Sequence, residues 1–419
     1  MKANNINTNI PQTILFTHYG DNWIRGSERC LIDLLKHLNR ERFKPIVFCN
    51  SSIFSDEIQA LNITVYQAEF PLPGKAFQRF ALRGLYRLYK QAIKIIDKHQ
   101  VKLIHANSGA PNQWLNFVAR SRNIPLLAHL HSSYSLRDRV TFGLHHVAMV
   151  VGVSNSVIDA LLKDGMPSEK TCVIPNGIDT SRLDQEPVID LRDQLNLSKD
   201  DFLIATTGSL IPRKGIDRII NSVKHLEESS VYAHLVIIGE GPERNNLQNQ
   251  INELGLNKQI HLLGEQSNVA GILRGGVDLF VSAAQEEAFG LVLAEASLAR
   301  LAIVASNVGG IPDVVINNKT GVLIDTGDST NLTSCIHYLY KNNTRRNEMG
   351  YSGRQHILEN LTIENNVNTF ESLYTKLLQN PSMRMRWHSH WEILKPFFNT
   401  GRRLVELALN RYGVKQYEC

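Results

Sequence analysis

No stretch of the chain is long and apolar enough to cross a bilayer. The longest apolar run covers residues 147–153, far short of the roughly 18 residues that a spanning helix needs. The first twelve residues are polar and rich in asparagine, and they lack the basic end and apolar stretch of a secretory signal. These two absences predict a cytoplasmic protein.

Cysteine is scarce, and its spacing fits neither a disulfide framework nor a zinc site. The cysteines are odd in number and far apart, and no two are spaced C-x-x-C. They are Cys30, Cys49, Cys172, Cys335 and Cys419. We expect reduced, mostly buried thiols and no metal site.

The composition excludes a disordered chain and predicts a parallel α/β fold. The 419 residues are 43% hydrophobic and 20% charged, which is typical of globular proteins, and this length suits two or three domains. Short apolar runs alternate with amphipathic segments of helical length. The predicted strands cover 13–17, 45–49, 102–105, 125–130 and 148–153, and then 202–207, 234–238, 259–263, 279–282, 302–305 and 321–324.

A polar segment without strand character, residues 179–201, lies between the two series of strands. It is predicted to connect two domains, 1–180 and 181–360. Each series predicts a Rossmann-like, doubly wound domain. A cleft between two such domains, at the carboxyl ends of their strands, is where these sheets bind nucleotides.

The net charge of +5 conceals two strongly basic segments. Residues 75–102 carry +7 and residues 381–419 carry +4, so the rest of the chain carries −6. Such asymmetry predicts an anionic surface as a partner. In a helix over 76–98, one face would hold the basic residues Arg79, Arg83, Arg87, Lys90, Lys94 and Lys98.

This basic face has more than one interpretation. It fits an ordinary solvated helix surface, and it fits a helix that rests on anionic lipid headgroups. Nucleic acid is disfavoured as a partner because no base-reading motif accompanies the charge. The segment 381–419 mixes basic residues with Trp387, Trp391, Phe397 and Phe398, which suits a membrane interface, a partner surface or packing against the protein itself.

Two carboxylates, Glu287 and Glu295, follow the predicted strand 279–282 with seven residues between them. Glu287 is expected in the loop, and Phe289 to Leu291 are expected to open a helix. The free N–H groups of a helix start favour an anionic or oxygen-rich ligand. The alternative is a pair of solvated helix residues with no ligand.

Cations and glycines follow other strands of the second half. Arg213 and Lys214 come directly before Gly215 and a predicted helix, where they could bind a diphosphate. Alone, such a pair would indicate only a solvated turn. Gly309 and Gly310 follow a further strand and would allow close approach of the backbone to a ligand.

With these motifs in this order, the chain resembles the retaining nucleotide-sugar glycosyltransferases of family four. Their GT-B architecture consists of two facing Rossmann-like domains. The resemblance covers roughly residues 13–378. It is carried by the turn Gly26-Ser27-Glu28-Arg29, LAHLHSS around His131, the segment that ends at Asn176-Gly177-Ile178-Asp179, PRKGID, GEGPERNNL, HLLGE, the E-x7-E pair and GGIPDVV.

The resemblance implies roles for the matching residues. Lys214 would neutralise the donor diphosphate, and Glu287 would hold hydroxyls of the transferred sugar. Glu295 would accept hydrogen bonds from the ribose, and the backbone near Leu263 would meet the base. The implied donor-binding residues are Arg213, Lys214, Glu240, Leu263, Phe289, Gly290, Leu291 and Glu295.

In the first half, His131 resembles the histidine that the family places near the reacting centre. With Glu287 and Lys214 it completes the implied catalytic set, while Gly26 and Ser27 match the loop that meets the acceptor or a phosphate. His131 could instead cap the end of a strand. A metal pair with His129 is less favoured, because no third ligand is evident.

Two positions depart from the family pattern. Ser209 stands where an arginine is common, and a neutral serine cannot clamp a phosphate. Arg213 is the expected source of the missing charge. Asp313 stands where a glutamate is common after G-G-I-P, a smaller change.

The implied activity is retaining transfer of a sugar from a nucleoside diphosphate, with UDP as the family-level expectation. The acceptor would be a glycan, lipid-linked in the preferred hypothesis, in the synthesis of a cell-surface polysaccharide or glycolipid. The chain contains no D-x-D, the motif with which many sugar transferases hold a divalent cation. We therefore expect metal-independent transfer with no cofactor.

The first domain would bind the acceptor, and a helix over 361–380 would cross back onto that domain, followed by an extension over 381–419. A membrane acceptor would place the protein at the inner face of the membrane. The alternatives are an epimerase or hydrolase of nucleotide-sugars on the same fold, and a non-catalytic protein that binds a nucleotide-sugar or docks at a membrane.

Overall fold

The computed structural model describes residues 10–71, 81–327 and 329–385. Arg79 of the predicted basic helix lies outside these residues, as do the four aromatic residues singled out in the C-terminal segment. Within the described ranges, no helix combines the length and the hydropathy that a membrane span requires.

Strands and helices alternate along the chain. The strands are β1 (Gln12–His18), β2 (Phe43–Cys49), β3 (Thr64–Gln67), β4 (Leu103–Ala106), β5 (Leu126–Leu130), β6 (Met149–Gly152), β7 (Thr171–Val173), β8 (Phe202–Thr207), β9 (Ala233–Ile238), β10 (Ile260–Gly264), β11 (Leu279–Ser282), β12 (Ala302–Ser306) and β13 (Gly321–Ile324). The helices are α1 (Gly26–His37), α2 (Ser52–Ala60), α3 (Ala81–His99), α4 (Asn112–Arg122), α5 (Leu136–Thr141), α6 (Asn155–Lys163), α7 (Thr180–Gln185), α8 (Leu191–Gln194), α9 (Ile216–Glu228), α10 (Arg244–Glu253), α11 (Val269–Arg274), α12 (Leu291–Leu298), α13 (Ile311–Val314), α14 (Ser329–Lys341), α15 (Asn343–Asn360) and α16 (Ile363–Gln379).

The chain divides into two compact units, Met1–Ile174 with Val367–Cys419, and Pro175–Asn366. In the described part, each unit contains a parallel sheet, ordered β3-β2-β1-β4-β5-β6-β7 in the first and β10-β9-β8-β11-β12-β13 in the second. In both sheets the strand order reverses beside the first strand, which is where doubly wound sheets bind ligands. The predicted fold class, two Rossmann-like α/β domains, is confirmed.

The central strands form because their sequences are apolar on both faces. Every residue of β9 is buried, and Ile14, Leu15 and Phe16 of β1 are fully buried. A strand covered by helices on both sides needs such a continuous apolar run. These strands were therefore predictable from sequence, whereas the short edge strands β3 and β7, which are only partly buried, were missed.

The division between the units differs from the predicted boundaries. Residues 175–180 are tied to the end of the second unit, because Ile178 N–H donates to Leu361 O at 2.9 Å and Ile363 N–H donates to Ile178 O at 3.0 Å. The division therefore lies at 174/175 instead of 180/181, and again at 366/367, within α16. Residues 179–201 are part of the second unit and not a free connection, since Leu183 and Leu191 are buried there.

The basic helix is present as α3, and the structure describes its course from Ala81. Leu88, Ala92, Ile95 and Ile96 are buried on one side. The opposite side exposes five cations, Arg83, Arg87, Lys90, Lys94 and Lys98. We call these five residues the α3 basic face.

A buried ion cluster joins α5 and the end of α6 in the first unit. The Asp164 carboxylate accepts hydrogen bonds from Arg139 Nε at 2.6 Å, Arg139 Nη2 at 2.9 Å and His145 Nε2 at 3.1 Å. The Asp164 side chain is fully buried and that of Arg139 is 8% exposed. Burial raises the pKa of Asp164, but the hydrogen bonds and charge of Arg139 outweigh it and hold the pKa below its usual range.

Replacing Asp164 with alanine is expected to lower the free energy of unfolding of the first unit by about 3–5 kcal/mol, because Arg139 is left buried and unpaired. The lowered pKa means that Asp164 stabilises the fold above its unfolded pKa and loses this effect as the pH falls through its folded pKa. The difference between wild type and variant in urea unfolding is therefore expected to shrink in acid.

The neighbouring Lys163→Ala variant is the matched control. Lys163 pairs with Asp159 on the surface, with both side chains more than half exposed, and such a pair contributes about 0.5 kcal/mol or less. Equal destabilisation by both variants would contradict the importance of the buried cluster.

Candidate functional site

The predicted site residues of the second unit lie in the loops that follow β8, β9 and β11, in the last residues of β10 and in α12. Because all strands of this sheet run parallel, these loops emerge along one edge. The structure brings the loops after β8 and β11 into direct contact, and it does the same for those after β8 and β9.

An ion pair joins the loops after β8 and β11. Lys214 lies in a short 3-10 turn, Pro212–Lys214, and its Nζ is 2.6 Å from Glu287 Oε2. Both side chains are 18% exposed, so each keeps one side toward solvent. Two residues predicted to act on the same ligand are thus adjacent and hold one another in place.

Glycine allows these two loops to approach. Gly215 follows Lys214 with a φ of +63°, and a Cβ at this position would lie 2.2 Å from Ala283 O. Such a separation is far inside van der Waals contact, and the left-handed conformation disfavours other residues as well. The glycine after the Arg-Lys pair is therefore required by the packing of the loops.

Arg213 is held beside the same loop. It is exposed, its Nη1 donates to Glu286 O at 3.2 Å, and its own carbonyl accepts from Gln285 N–H at 2.8 Å. Its guanidinium therefore lies along the loop that carries Glu287. Ser209 is half-buried on the preceding loop. Besides Arg213 and Lys214, Arg218 brings a cation to this point of the edge, since a Cβ on Gly215 would lie 2.7 Å from Arg218 Nη2.

The loop after β12 packs against the Glu287 backbone. Gly310 N–H donates to Glu287 O at 2.9 Å. A Cβ on Gly309, whose φ is +57°, would lie 1.7 Å from that same oxygen. The glycine pair of GGIPDVV thus packs against the Glu287 loop. This packing alone explains why the motif has glycine at both positions, whether or not a ligand binds there.

Helix α12 begins at Leu291, four residues after Glu287. Gly290 precedes the helix with a φ of +102°, and a Cβ there would lie 3.7 Å from Glu287 Cγ. Gly290, which precedes the first turn of α12, therefore lies next to the Glu287 side chain. Phe289 is 2% exposed, so the residue anchors this turn, while Glu295 is half-buried further along α12.

The loop after β9 and the last residues of β10 form a second group at this edge of the sheet. Glu240 Oε1 accepts from Arg244 Nη1 at 2.6 Å, and a Cβ on Gly264 would lie 3.2 Å from that oxygen. Leu263 is half-buried just before Gly264. The hydrogen bond from Leu210 N–H to Glu240 O, 2.9 Å long, links this group to the loop that leads to Lys214.

In the first unit, His131 follows β5 and is bonded to a residue that the sequence analysis did not single out. Its Nε2 is 3.0 Å from Asn107 Oδ1, and Asn107 Nδ2 donates to Ser27 O at 3.1 Å. Gly26 and Ser27 open α1. The structure thus brings His131 and the Gly26-Ser27 turn together through Asn107.

His18 and Glu28 extend this cluster. His18 Nε2 lies 2.7 Å from Glu28 Oε1, and His18 Nδ1 lies 3.2 Å from Asn107 Nδ2. A sequence signal for the cluster existed: His18, Asn107 and His131 each lie at or just after the end of a strand, and β1, β4 and β5 are neighbours in the sheet.

His131 is kept uncharged by its surroundings. Burial and the nearby imidazoles of His129 and His18 hold the pKa of His131 well below its usual range, although Glu28 acts in the opposite direction. The ring of His129 lies 4.2 Å from that of His131, centroid to centroid. Across the described residues, no group of three or more His, Cys, Asp or Glu side chains is placed to hold a metal ion.

A cavity of about 600 Å³ lies beyond the ends of β1, β2 and β3 in the first unit. Its lining residues are Tyr19, Asn50, Gln67, Ala68, Glu69 and Phe70. The Tyr19 ring stacks parallel to Phe70 and is 39% exposed. An aromatic face next to polar groups is a surface that suits a sugar ring.

Comparisons with known proteins identify relatives for most of the chain. A glycosyltransferase family 4 model matches residues 24–182, and a glycosyl transferases group 1 model matches residues 188–356. The chain is 24% identical over 303 residues to N-acetyl-alpha-D-glucosaminyl L-malate synthase of Bacillus anthracis, across 70% of this chain and 79% of that protein.

Two further relatives are enzymes whose names include a lipid acceptor. The GDP-mannose-dependent alpha-(1-6)-phosphatidylinositol monomannoside mannosyltransferase of Mycolicibacterium smegmatis is 26% identical, across 64% of this chain and 74% of that protein. The UDP-Gal:alpha-D-GlcNAc-diphosphoundecaprenol alpha-1,3-galactosyltransferase of Escherichia coli is 24% identical, across 71% and 80%.

Solved structures share the fold. A glycosyltransferase from Rickettsia africae superposes with a TM-score of 0.77 at 20% identity, over 88% of this chain and 99% of that one. HepE of Anabaena in complex with UDP-glucose gives 0.74 at 22% identity, over 87% and 99%. The matched motifs, the two Rossmann-like sheets and these relatives lead to one assignment: the chain belongs to the family-four glycosyltransferases of the GT-B fold.

Proposed function

We propose that the protein transfers a sugar, with retention of configuration, from a nucleoside-diphosphate sugar to a lipid-linked glycan acceptor. The main observation in support of the donor site is the Lys214–Glu287 ion pair. Its atoms lie 2.6 Å apart at the edge of the second sheet, and both side chains are partly open to solvent. UDP is the proposed nucleotide, and the UDP-glucose complex of HepE supports this choice.

Cleavage of the donor's glycosidic bond leaves negative charge on the diphosphate, and groups already in position to stabilise that charge lower the barrier. We assign this task to Lys214, to Arg213 and to the first N–H groups of α12. In this proposal they do what a divalent cation does in D-x-D enzymes. Glu287 holds hydroxyls of the transferred sugar. Glu295, Glu240 and the backbone near Leu263 bind the nucleoside.

The first unit is the proposed acceptor-binding unit. The exposed face of Tyr19 and the side chains of Gln67 and Glu69 offer stacking and hydrogen bonds to a glycan in the adjacent cavity. The α3 basic face offers contacts to the anionic headgroups around a lipid-linked acceptor, at about 1 kcal/mol for each cation near the surface. The lipid acceptors named in two relatives support this part of the proposal.

Replacing Glu287 with alanine is expected to lower the rate of sugar transfer by about 10²-fold or more, because a preorganised contact to the reacting sugar is lost. Turnover with a nucleotide-sugar and a lipid-linked acceptor measures the effect. Glu286→Ala is the matched control, since Glu286 is exposed and Arg213 contacts only its backbone oxygen. Unchanged transfer by the Glu287 variant would contradict the assigned role.

Replacing the four cations Arg83, Arg87, Lys90 and Lys94 with glutamine is expected to abolish sedimentation of the protein with vesicles rich in phosphatidylglycerol. About 4 kcal/mol of attraction would be lost, a factor of roughly 10³ in binding. Neutral phosphatidylcholine vesicles should sediment neither protein.

The control variant removes charge elsewhere. Lys199, Lys258 and Lys319 are exposed and scattered over the second unit, and their replacement by glutamine should leave vesicle binding nearly intact. Equal loss in both variants would show that net charge is responsible, and full binding by the α3 variant would contradict a membrane role for this face.

A further inference from the structure

A buried chain of hydrogen bonds leads from Glu28 through His18 and Asn107 to His131. The successive separations are 2.7 Å, 3.2 Å and 3.0 Å. Glu28, His18 and Asn107 are 3%, 1% and 0% exposed. A Cβ on Gly20 would lie 2.6 Å from Glu28 Oε1 and 2.7 Å from His18 Nε2, so the chain is closely covered from this side.

The orientation of the Asn107 amide follows from its contact with Ser27. A backbone carbonyl oxygen can only accept a hydrogen bond, so the amide atom 3.1 Å from Ser27 O must be the nitrogen. The amide oxygen then faces His131 Nε2. Because that oxygen can only accept, His131 Nε2 must carry the proton.

At the Glu28 end of these hydrogen bonds, donor and acceptor can be assigned in the same way. Burial would raise the pKa of Glu28, but the hydrogen bonds from His18 and from the backbone N–H groups of Glu28 and Arg25 outweigh it and hold the pKa below its usual range. The ionised carboxylate accepts from His18 Nε2 and from Arg25 N–H. His18 Nδ1 is then a lone-pair acceptor for Asn107 Nδ2–H, and each bond fixes the direction of the next.

The other ring nitrogen of His131, Nδ1, takes no part in these hydrogen bonds and can bind a ligand. In the neutral ring with Nε2 protonated, Nδ1 carries a lone pair, and Nδ1 has no hydrogen-bond partner among the described residues. A lone pair accepts from a hydroxyl, and it repels the oxygens of a phosphate or a carboxylate, which bring no proton at neutral pH.

We propose that Glu28, His18 and Asn107 are positioning residues that hold His131 as its Nε2–H tautomer, so that Nδ1 accepts a hydrogen bond from a sugar hydroxyl. The substrate part of this inference rests on the proposed glycosyl transfer. The assignment of the His131 tautomer does not depend on the proposed transfer. The cluster thus selects the hydroxyl-bearing part of a substrate and rejects its anionic part.

The tautomer is tested by long-range ¹H–¹⁵N NMR of the full chain labelled with ¹⁵N-histidine, with His131→Gln to assign the signals. Wild type is expected to show one neutral ring, protonated at Nε2, between pH 6 and 8. Asn107→Leu removes the acceptor and is expected to give a mixture of tautomers. An Nδ1–H ring in wild type, or an unchanged single tautomer in Asn107→Leu, would overturn the proposal.

Asn107→Asp tests the consequence for the substrate. A carboxylate beside His131 raises the pKa of that imidazole, and the protonated ring has an Nδ1–H that donates instead of accepting. Transfer by the variant is therefore expected to fall with decreasing pH, at a higher pH than in wild type, mainly through a larger KM for the sugar that His131 contacts.

The charged and titratable groups that face His131 in this experiment are His18, Glu28, His105 and His129. Asn116→Asp, which also buries a carboxylate in the first unit, is the control and should leave the acid limb of the pH profile unmoved. A pH profile of Asn107→Asp that matches wild type would overturn the role toward the substrate. No transfer by wild type, with the expected tautomer in the NMR spectrum, would contradict the proposed function and leave the positioning of His131 established.

Discussion

The contact between the loops after β8 and β11 is the constraint on which the candidate donor site depends. Lys214 and Glu287 meet at 2.6 Å only because Gly215 lets the backbone pass close to Ala283 O. Gly309 and Gly310, which follow β12, pack closely against Glu287 O. A cation, a carboxylate and the start of α12 are therefore fixed before any ligand arrives, which is the preorganisation that electrostatic catalysis requires.

The first unit uses the same edge of a parallel sheet for a different chemistry. The second unit collects cations and N–H groups, which suit an anion, whereas the first collects a neutral imidazole, an amide and an aromatic face. Both sets lie at the carboxyl ends of strands next to the position where strand order reverses. The same fold thus presents cations at the sheet edge of one unit and neutral hydrogen-bonding groups at that of the other.

Sequence alone predicted the parts that depend on local pattern. Buried parallel strands are continuous apolar runs, and the predicted strands 202–207, 279–282 and 321–324 match β8, β11 and β13 residue for residue. Edge strands such as β7 lack that run and were missed. The Glu28–His18–Asn107–His131 chain could not be predicted in full, because its members are up to 113 residues apart and meet only through the order of β1, β4 and β5.

The measurement that tests the central claim most directly is thermal unfolding of the protein against a panel of nucleoside diphosphates and their sugars. A donor present at about 100 times its dissociation constant should stabilise the native state by roughly 2.7 kcal/mol. The account predicts selective stabilisation by one base and one sugar, and its loss when Lys214 is replaced by alanine. Absence of any shift across the panel would contradict a donor site built on Lys214 and Glu287.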